Sequence, residues 1–185
     1  MQRALIIYSS SHGQTREVAQ RIAGRLRERA FTVVISDTGQ PVHLPPPAGF
    51  DLVIIGSRIQ FGRHSSSVIA YLHQYRKQLE ATSTAFFSVS MAAANGGDDP
   101  NGYLATMFES VGWRPPLTTA IAGALAYRKY NFLLRFVMKR IAKAAGHSTD
   151  TSRNHFYTDW GHVLEFADRA IALTHPGVGS TRAAR

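Results

Sequence analysis

The sequence predicts a single α/β domain built on a doubly wound, parallel sheet. Three observations carry this reading. Short apolar runs alternate with segments of helical periodicity along the chain, the pattern of successive βα units. The run at 51–57 is almost wholly apolar, as in a strand covered on both faces. The 185 residues, 44% of them hydrophobic, suit one core of ordinary domain size.

The elements follow in order. Residues 4–8 form an apolar strand that runs into a serine-rich turn. Residues 14–29 place Val18, Ala19, Ile22, Ala23 and Leu26 at helical spacing, with charges on the other face. A strand at 31–36 precedes a proline-rich loop at 41–47, and the apolar strand at 51–57 follows. A helix is expected at 65–80, a strand at 83–90, a loop at Asn95-Gly96-Gly97 and a short helix at 103–111. A fifth strand spans 117–125. After an inserted basic segment, a short return strand at 155–157 leads to a last helix at 159–173. The domain is expected to cover 1–175, with the insertion at about 125–154. Residues 176–185 lack periodicity and are expected to be a disordered tail.

Composition removes several function classes. There is no cysteine, which excludes disulfides, thiolate metal sites and cysteine nucleophiles. The eight histidines show no metal-ligand spacing, and residue order alone assigns no Ser-His-Asp triad. The N-terminal apolar run reads as a strand rather than a signal peptide, and no apolar stretch approaches the roughly 18 to 20 residues that span a bilayer. The net charge is +9, and residues 125–154 hold +6 of it, with seven basic residues against Asp150. Such a segment suits a polyanion or an anionic membrane surface. No recognised nucleic-acid motif is present, so a nucleic-acid partner is not expected.

Three strand ends carry the candidate site. The first is Ser9-Ser10-Ser11-His12-Gly13-Gln14-Thr15, where hydroxyls and backbone amides meet a helix N-terminus, chemistry that suits a phosphate. It lacks the lysine of a GxxxxGK(S/T) loop and the glycines of GxGxxG. The second is Ser57-Arg58-Ile59-Gln60-Phe61-Gly62. In an open sheet of order 2-1-3-4-5, a ligand sits where the first and third strands diverge, and flavodoxin with FMN is one such case. Phe61 is suited to stacking there, Gly62 to close backbone approach and Arg58 to polar contact. The third is the end of the fourth strand, Ser88-Val89-Ser90-Met91, expected to supply another wall.

The insertion fits a helix over 130–145. Leu133, Leu134, Val137, Met138, Ile141, Ala144 and Ala145 share one face, and Arg135, Lys139, Arg140 and Lys143 share the other. Phe132 and Phe136 fall within the basic sector. Aromatics among cations suit an anionic lipid surface or a substrate bearing carboxylates.

The runs YSSSHGQTREVAQRIA, VIIGSRIQFGRHSSSV, AFFSVSM, GWRPPLTTAIAGALAYRKYNFLLRFVMKRIA and FYTDW together resemble the flavodoxin-like, menaquinone-dependent protoporphyrinogen oxidase family of bacteria, over about residues 3–173. The first two loops are general to flavodoxins; the basic insertion followed by YTDW is specific to the oxidase. One departure stands in the first turn, SSSHGQT, where family members carry an arginine and an aspartate before the glycine. The resemblance implies a flavodoxin-like five-stranded fold and an FMN enzyme that oxidises protoporphyrinogen IX and reduces menaquinone or another quinone in haem synthesis. It implies a peripheral place on the cytoplasmic face of the inner membrane. It also implies that Ser10 to Gln14, beside Ser9 and Thr15, hold the FMN phosphate. Arg58 to Gly62, with Ser57, and Phe86, Phe87, Ser88, Val89, Ser90 and Met91 approach the ring. Phe132, Arg135, Phe136, Lys139 and Arg140 face substrate or membrane. No protein acid or base is expected to be catalytic, since the flavin carries the chemistry. A flavodoxin-type electron carrier, or another FMN-dependent quinone oxidoreductase, is the alternative.

Overall fold

The computed structural model describes residues 1–40, 43–95, 99, 102–125 and 155–175. The expected basic helix at 130–145, with Phe132, Arg135, Phe136, Lys139 and Arg140, and the tail from 176 lie outside the described residues.

The elements are β1 (Arg3–Ser9), α1 (Gln14–Glu28), β2 (Thr32–Asp37), β3 (Leu52–Gln60), β4 (Arg63–His64), α2 (Ser66–Glu80), β5 (Ser83–Ser90), a 3-10 turn (Ala92–Asn95), α3 (Tyr103–Val111), β6 (Leu117–Ala122), β7 (Ala124–Leu125), β8 (His155–Phe156) and α4 (Trp160–Ala172). The long strands pair in parallel in the order β2-β1-β3-β5-β6. Counted without the short strands, this is the expected 2-1-3-4-5 order.

Strand alternation divides the core in two. Ala4, Ile6 and Tyr8 of β1, Leu52 and Ile54 of β3, and Ala85, Phe87 and Val89 of β5 face α1 and α4. Leu5, Ile7, Val53, Ile55 and Phe86 face α2 and α3. Both faces of β3 are therefore buried, which accounts for its unbroken apolar sequence. On the first face, Arg25 of α1 grips the Asp168 carboxylate of α4 with two hydrogen bonds of 2.9 and 2.8 Å, so the two helices are fixed side by side.

Two expectations are corrected. The third strand does not stop at Ser57. It continues to Gln60 and folds back antiparallel as β4, with Ile59 opposite His64 and Gln60 opposite Arg63. Phe61 and Gly62 form the two-residue turn, both at positive φ, +50° and +74°, as a type I′ hairpin requires. The fifth strand does not run unbroken from 117 to 125. Gly123 donates its N–H to Ser90 O at 2.9 Å but accepts from Tyr157 N at 3.2 Å. The chain changes partners at this residue, leaves β5, and continues as β7 paired with the return strand β8.

Candidate functional site

The sheet ends on a polar rung. Ser9 of β1 is in register with Ser57 of β3, and Ser57 with Ser88 of β5, all three buried. They lie one alternation beyond Ile7, Ile55 and Phe86, on the α2 and α3 face, and form a buried floor of small hydroxyl side chains beneath the strand ends. Ser57 Oγ donates to Arg58 O at 3.1 Å and accepts from Ser65 N at 3.2 Å, which ties β3 to the start of α2.

Above this floor the first turn enters α1. Gly13 occupies the N-cap at φ +97°, a backbone that glycine adopts without a steric cost. Its N–H donates to Ser10 Oγ at 3.1 Å. No side chain caps the helix, so donors of its first turn remain available at the positive end of the helix dipole. Ser10 and His12 are half-buried and Ser11 is exposed, whereas Thr15 is only 2% exposed. Gln14 Nε2 donates to Thr158 Oγ1 at 2.8 Å, and the Thr158 hydroxyl donates to Ala122 O at 2.7 Å.

The β3–β4 hairpin forms a second wall. Phe61, at its tip, is 71% exposed. A phenylalanine held at left-handed φ costs on the order of 1 kcal/mol, and an exposed one gains no burial in return. The Tyr103 ring supports the turn from behind, since a Cβ on Gly62 would stand 3.5 Å from it. Arg58, Gln60 and Arg63 share the other face of the ribbon: Arg58 and Gln60 by alternation, and Arg63 by pairing with Gln60. Arg58 Nη1 donates to Gln60 Oε1 at 2.6 Å, while Arg58 Nε is buried without a partner.

The third wall differs from expectation. Phe86 and Phe87 are 0% exposed and pack edge-on against Phe108 and Phe166 respectively, one in each half of the core. They are core residues because β5 is the buried strand between β3 and β6, and they offer no surface to a ligand. The same holds for Ser57 and Ser88. Val89 and Ser90 retain slight exposure, and Met91 with Ala92 to Ala94 is half-buried. The wall is therefore built from the strand end and its 3-10 turn, where Ser90 Oγ accepts from Ala93 N at 3.2 Å.

Flavodoxin domain is the family that matches residues 5–152. Protoporphyrinogen IX dehydrogenase [quinone] of Escherichia coli K12 is 32% identical over 175 residues, covering 93% of this chain and 96% of the relative. The chain belongs to the protoporphyrinogen IX dehydrogenase family of flavodoxin-domain proteins. The relative of the same name from Leishmania major is 33% identical over 178 residues, 92% of this chain and 75% of that protein. Among solved structures, oxidised flavodoxin 1 from Bacillus cereus aligns over 92% of this chain and 97% of its own, at 15% identity and a TM-score of 0.55, which supports the fold. This flavodoxin-domain oxidoreductase takes FMN as its cofactor. The residues present fit that group: an uncapped helix start with serine hydroxyls in the turn before it for a phosphate, and an exposed aromatic, Phe61, on the β3–β4 hairpin for a planar ring.

His64 follows the Phe61-Gly62 turn, at the end of β4. The hairpin turns it inward, opposite Ile59 and edge-on to Phe86. A Phe-Gly pair read as a two-residue turn would have signalled this inversion. Burial lowers its pKa to about 4 from 6.5, against the opposing pull of the Asp99 carboxylate and the Tyr103 main chain. A lowered histidine pKa means that the fold prefers the neutral ring. Its contribution is complete above pH 6.5 and is lost as pH falls toward 4, by about 3 kcal/mol in all. His64→Phe, which keeps the ring contact, should flatten the decline in unfolding free energy across that window relative to wild type. Urea titrations at stepped pH measure it.

Proposed function

We propose that this protein oxidises protoporphyrinogen IX to protoporphyrin IX and passes the electrons to a quinone, within haem synthesis. The observation that carries the reading is the exposed Phe61 on the hairpin that extends β3, together with the uncapped start of α1 that follows the neighbouring β1, in a chain that matches a dehydrogenase of that name over 96% of its length. FMN, when bound, supplies the redox chemistry by accepting hydride and releasing electrons.

The chain's own residues bind and orient. Ser10, Ser11, Gly13 and Gln14 receive the phosphate, with Ser9 and Thr15 closing the turn from beneath. Phe61 lies against the ring. Arg58, Ile59, Gln60 and Gly62 hold the hairpin in place, and Val89, Ser90 and Met91 bound the opposite side. No side chain in this set is needed as an acid or base.

Phe132, Arg135, Phe136, Lys139 and Arg140, on the segment that departs after Leu125 and returns at His155, serve the anionic porphyrinogen and an anionic membrane. Among the described residues no helix is long and apolar enough to cross a bilayer. The proposal puts the chain peripherally on the cytoplasmic face of the inner membrane, within reach of a lipid-soluble quinone. Each cation near such a surface is worth about 1 kcal/mol. Arg135→Glu combined with Lys139→Glu should lower vesicle binding at least about tenfold at low salt. It should also lower quinone-linked porphyrin formation, followed by fluorescence, with the flavin spectrum kept. Undiminished oxidation by this double variant on anionic vesicles would remove the segment from the reaction.

A further inference from the structure

We propose that Thr158 is a positioning residue for the FMN phosphate turn, anchoring Gln14 to the neck of segment 126–154. The proposal rests on FMN occupying the crevice.

The hydrogen-bond directions are fixed by elimination. The Ala122 carbonyl can only accept, so the single Thr158 proton is committed to it at 2.7 Å. The hydroxyl oxygen can then only accept from Gln14, which must present its NH2 group, at 2.8 Å. A primary amide has two N–H donors. One is used on Thr158, and this fixes the plane of the Gln14 amide at the first residue of α1. The second N–H and the amide oxygen remain for whatever enters the turn. A glutamine side chain otherwise loses its rotamer freedom only on binding, at a cost that pre-orientation removes.

The anchor itself is rigid. Ala122 ends β6, Gly123 is bonded to both Ser90 and Tyr157, and Asp159, the next residue after Thr158, caps α4 through the amides of Gly161 and His162. Thr158 thus joins the end of the sheet, the start of α4 and the cofactor turn at one hydroxyl. The chain enters segment 126–154 on one side of this joint and leaves it on the other. The segment assigned to substrate and membrane is therefore tied to the turn assigned to the phosphate, so cofactor retention and the docking segment share a structural element.

Thr158→Val keeps the shape of the side chain and removes both hydrogen bonds, and Thr158→Ser restores them. Calorimetry with FMN and with riboflavin, which lacks the phosphate, tests the idea. Valine should raise the FMN Kd about tenfold, with a change of less than about twofold for riboflavin, and serine should return FMN binding to near the wild-type value. In a Gln14→Leu background, which removes the donor, Thr158→Val should add little, because the two residues act as one unit. Unchanged FMN binding by Thr158→Val would overturn the proposal. So would equal weakening of FMN and riboflavin with a matching fall in apo-protein Tm, which would reduce Thr158 to a fold contact. Wild-type protein that bound neither flavin would instead overturn the cofactor assignment on which the proposal rests.

Discussion

Ser10→Asp should lower FMN affinity at least about a hundredfold. The substitution places a carboxylate where the phosphate is assigned, at the turn whose Ser10 Oγ receives Gly13 N–H. Two like charges about 4 Å apart at a protein surface repel by up to about 4 kcal/mol, before screening, and about 2.7 kcal/mol already corresponds to a hundredfold. The fold should survive, because aspartate is a favoured residue near a helix N-terminus and can accept the same Gly13 N–H. Riboflavin should bind the variant nearly as well as wild type, since it brings no phosphate to be repelled. Calorimetry with both flavins measures the difference, and FMN binding unaffected by the new carboxylate would place the phosphate elsewhere.

Gly56→Ala should destabilise the protein by about 3 kcal/mol, lowering Tm by roughly 6–12 °C for a domain of this size. Gly56 lies between Tyr8 of β1 and Phe87 of β5 in the sheet register. A Cβ there would press into the Phe87 ring, with two of its carbons at 2.7 and 2.8 Å. Phe87 cannot yield easily, since its ring is wedged against Phe166 of α4. In a Phe87→Leu background the same alanine should cost much less, so the double variant should be more stable than the sum of the two singles. Additive losses in thermal melts would show that the close approach at Gly56 is not what limits this position.

The parallel order and most helices were legible because their signals are local. Val18, Ala19, Ile22, Ala23 and Leu26 repeat at helical spacing and all lie buried on α1, and the apolar run of β3 reports a strand covered on both sides. The walls of the site were harder to read. Phe86 and Phe87 look like ring-binding aromatics in the sequence, but their depth in β5 depends on neighbours on both sides of that strand, which no local pattern reveals. Phe61 and Gly62 look like loop residues in the sequence, although their order before Arg63-His64 also fits a tight hairpin. The joint at Thr158 was not legible, because its partner Gln14 lies 144 residues away in sequence. Pairings of that kind come from the closure of the fold and have no periodicity to detect.

In the proposed reaction, electrons from the porphyrinogen pass through a flavin held at these strand ends. Anaerobic mixing of the FMN-loaded protein with protoporphyrinogen IX, followed at once by flavin absorbance and porphyrin fluorescence, tests it most directly. The flavin should bleach on mixing, and adding a quinone should restore its colour while porphyrin fluorescence builds. A flavin that stays oxidised in the presence of porphyrinogen, with no porphyrin formed when quinone is added, would contradict it.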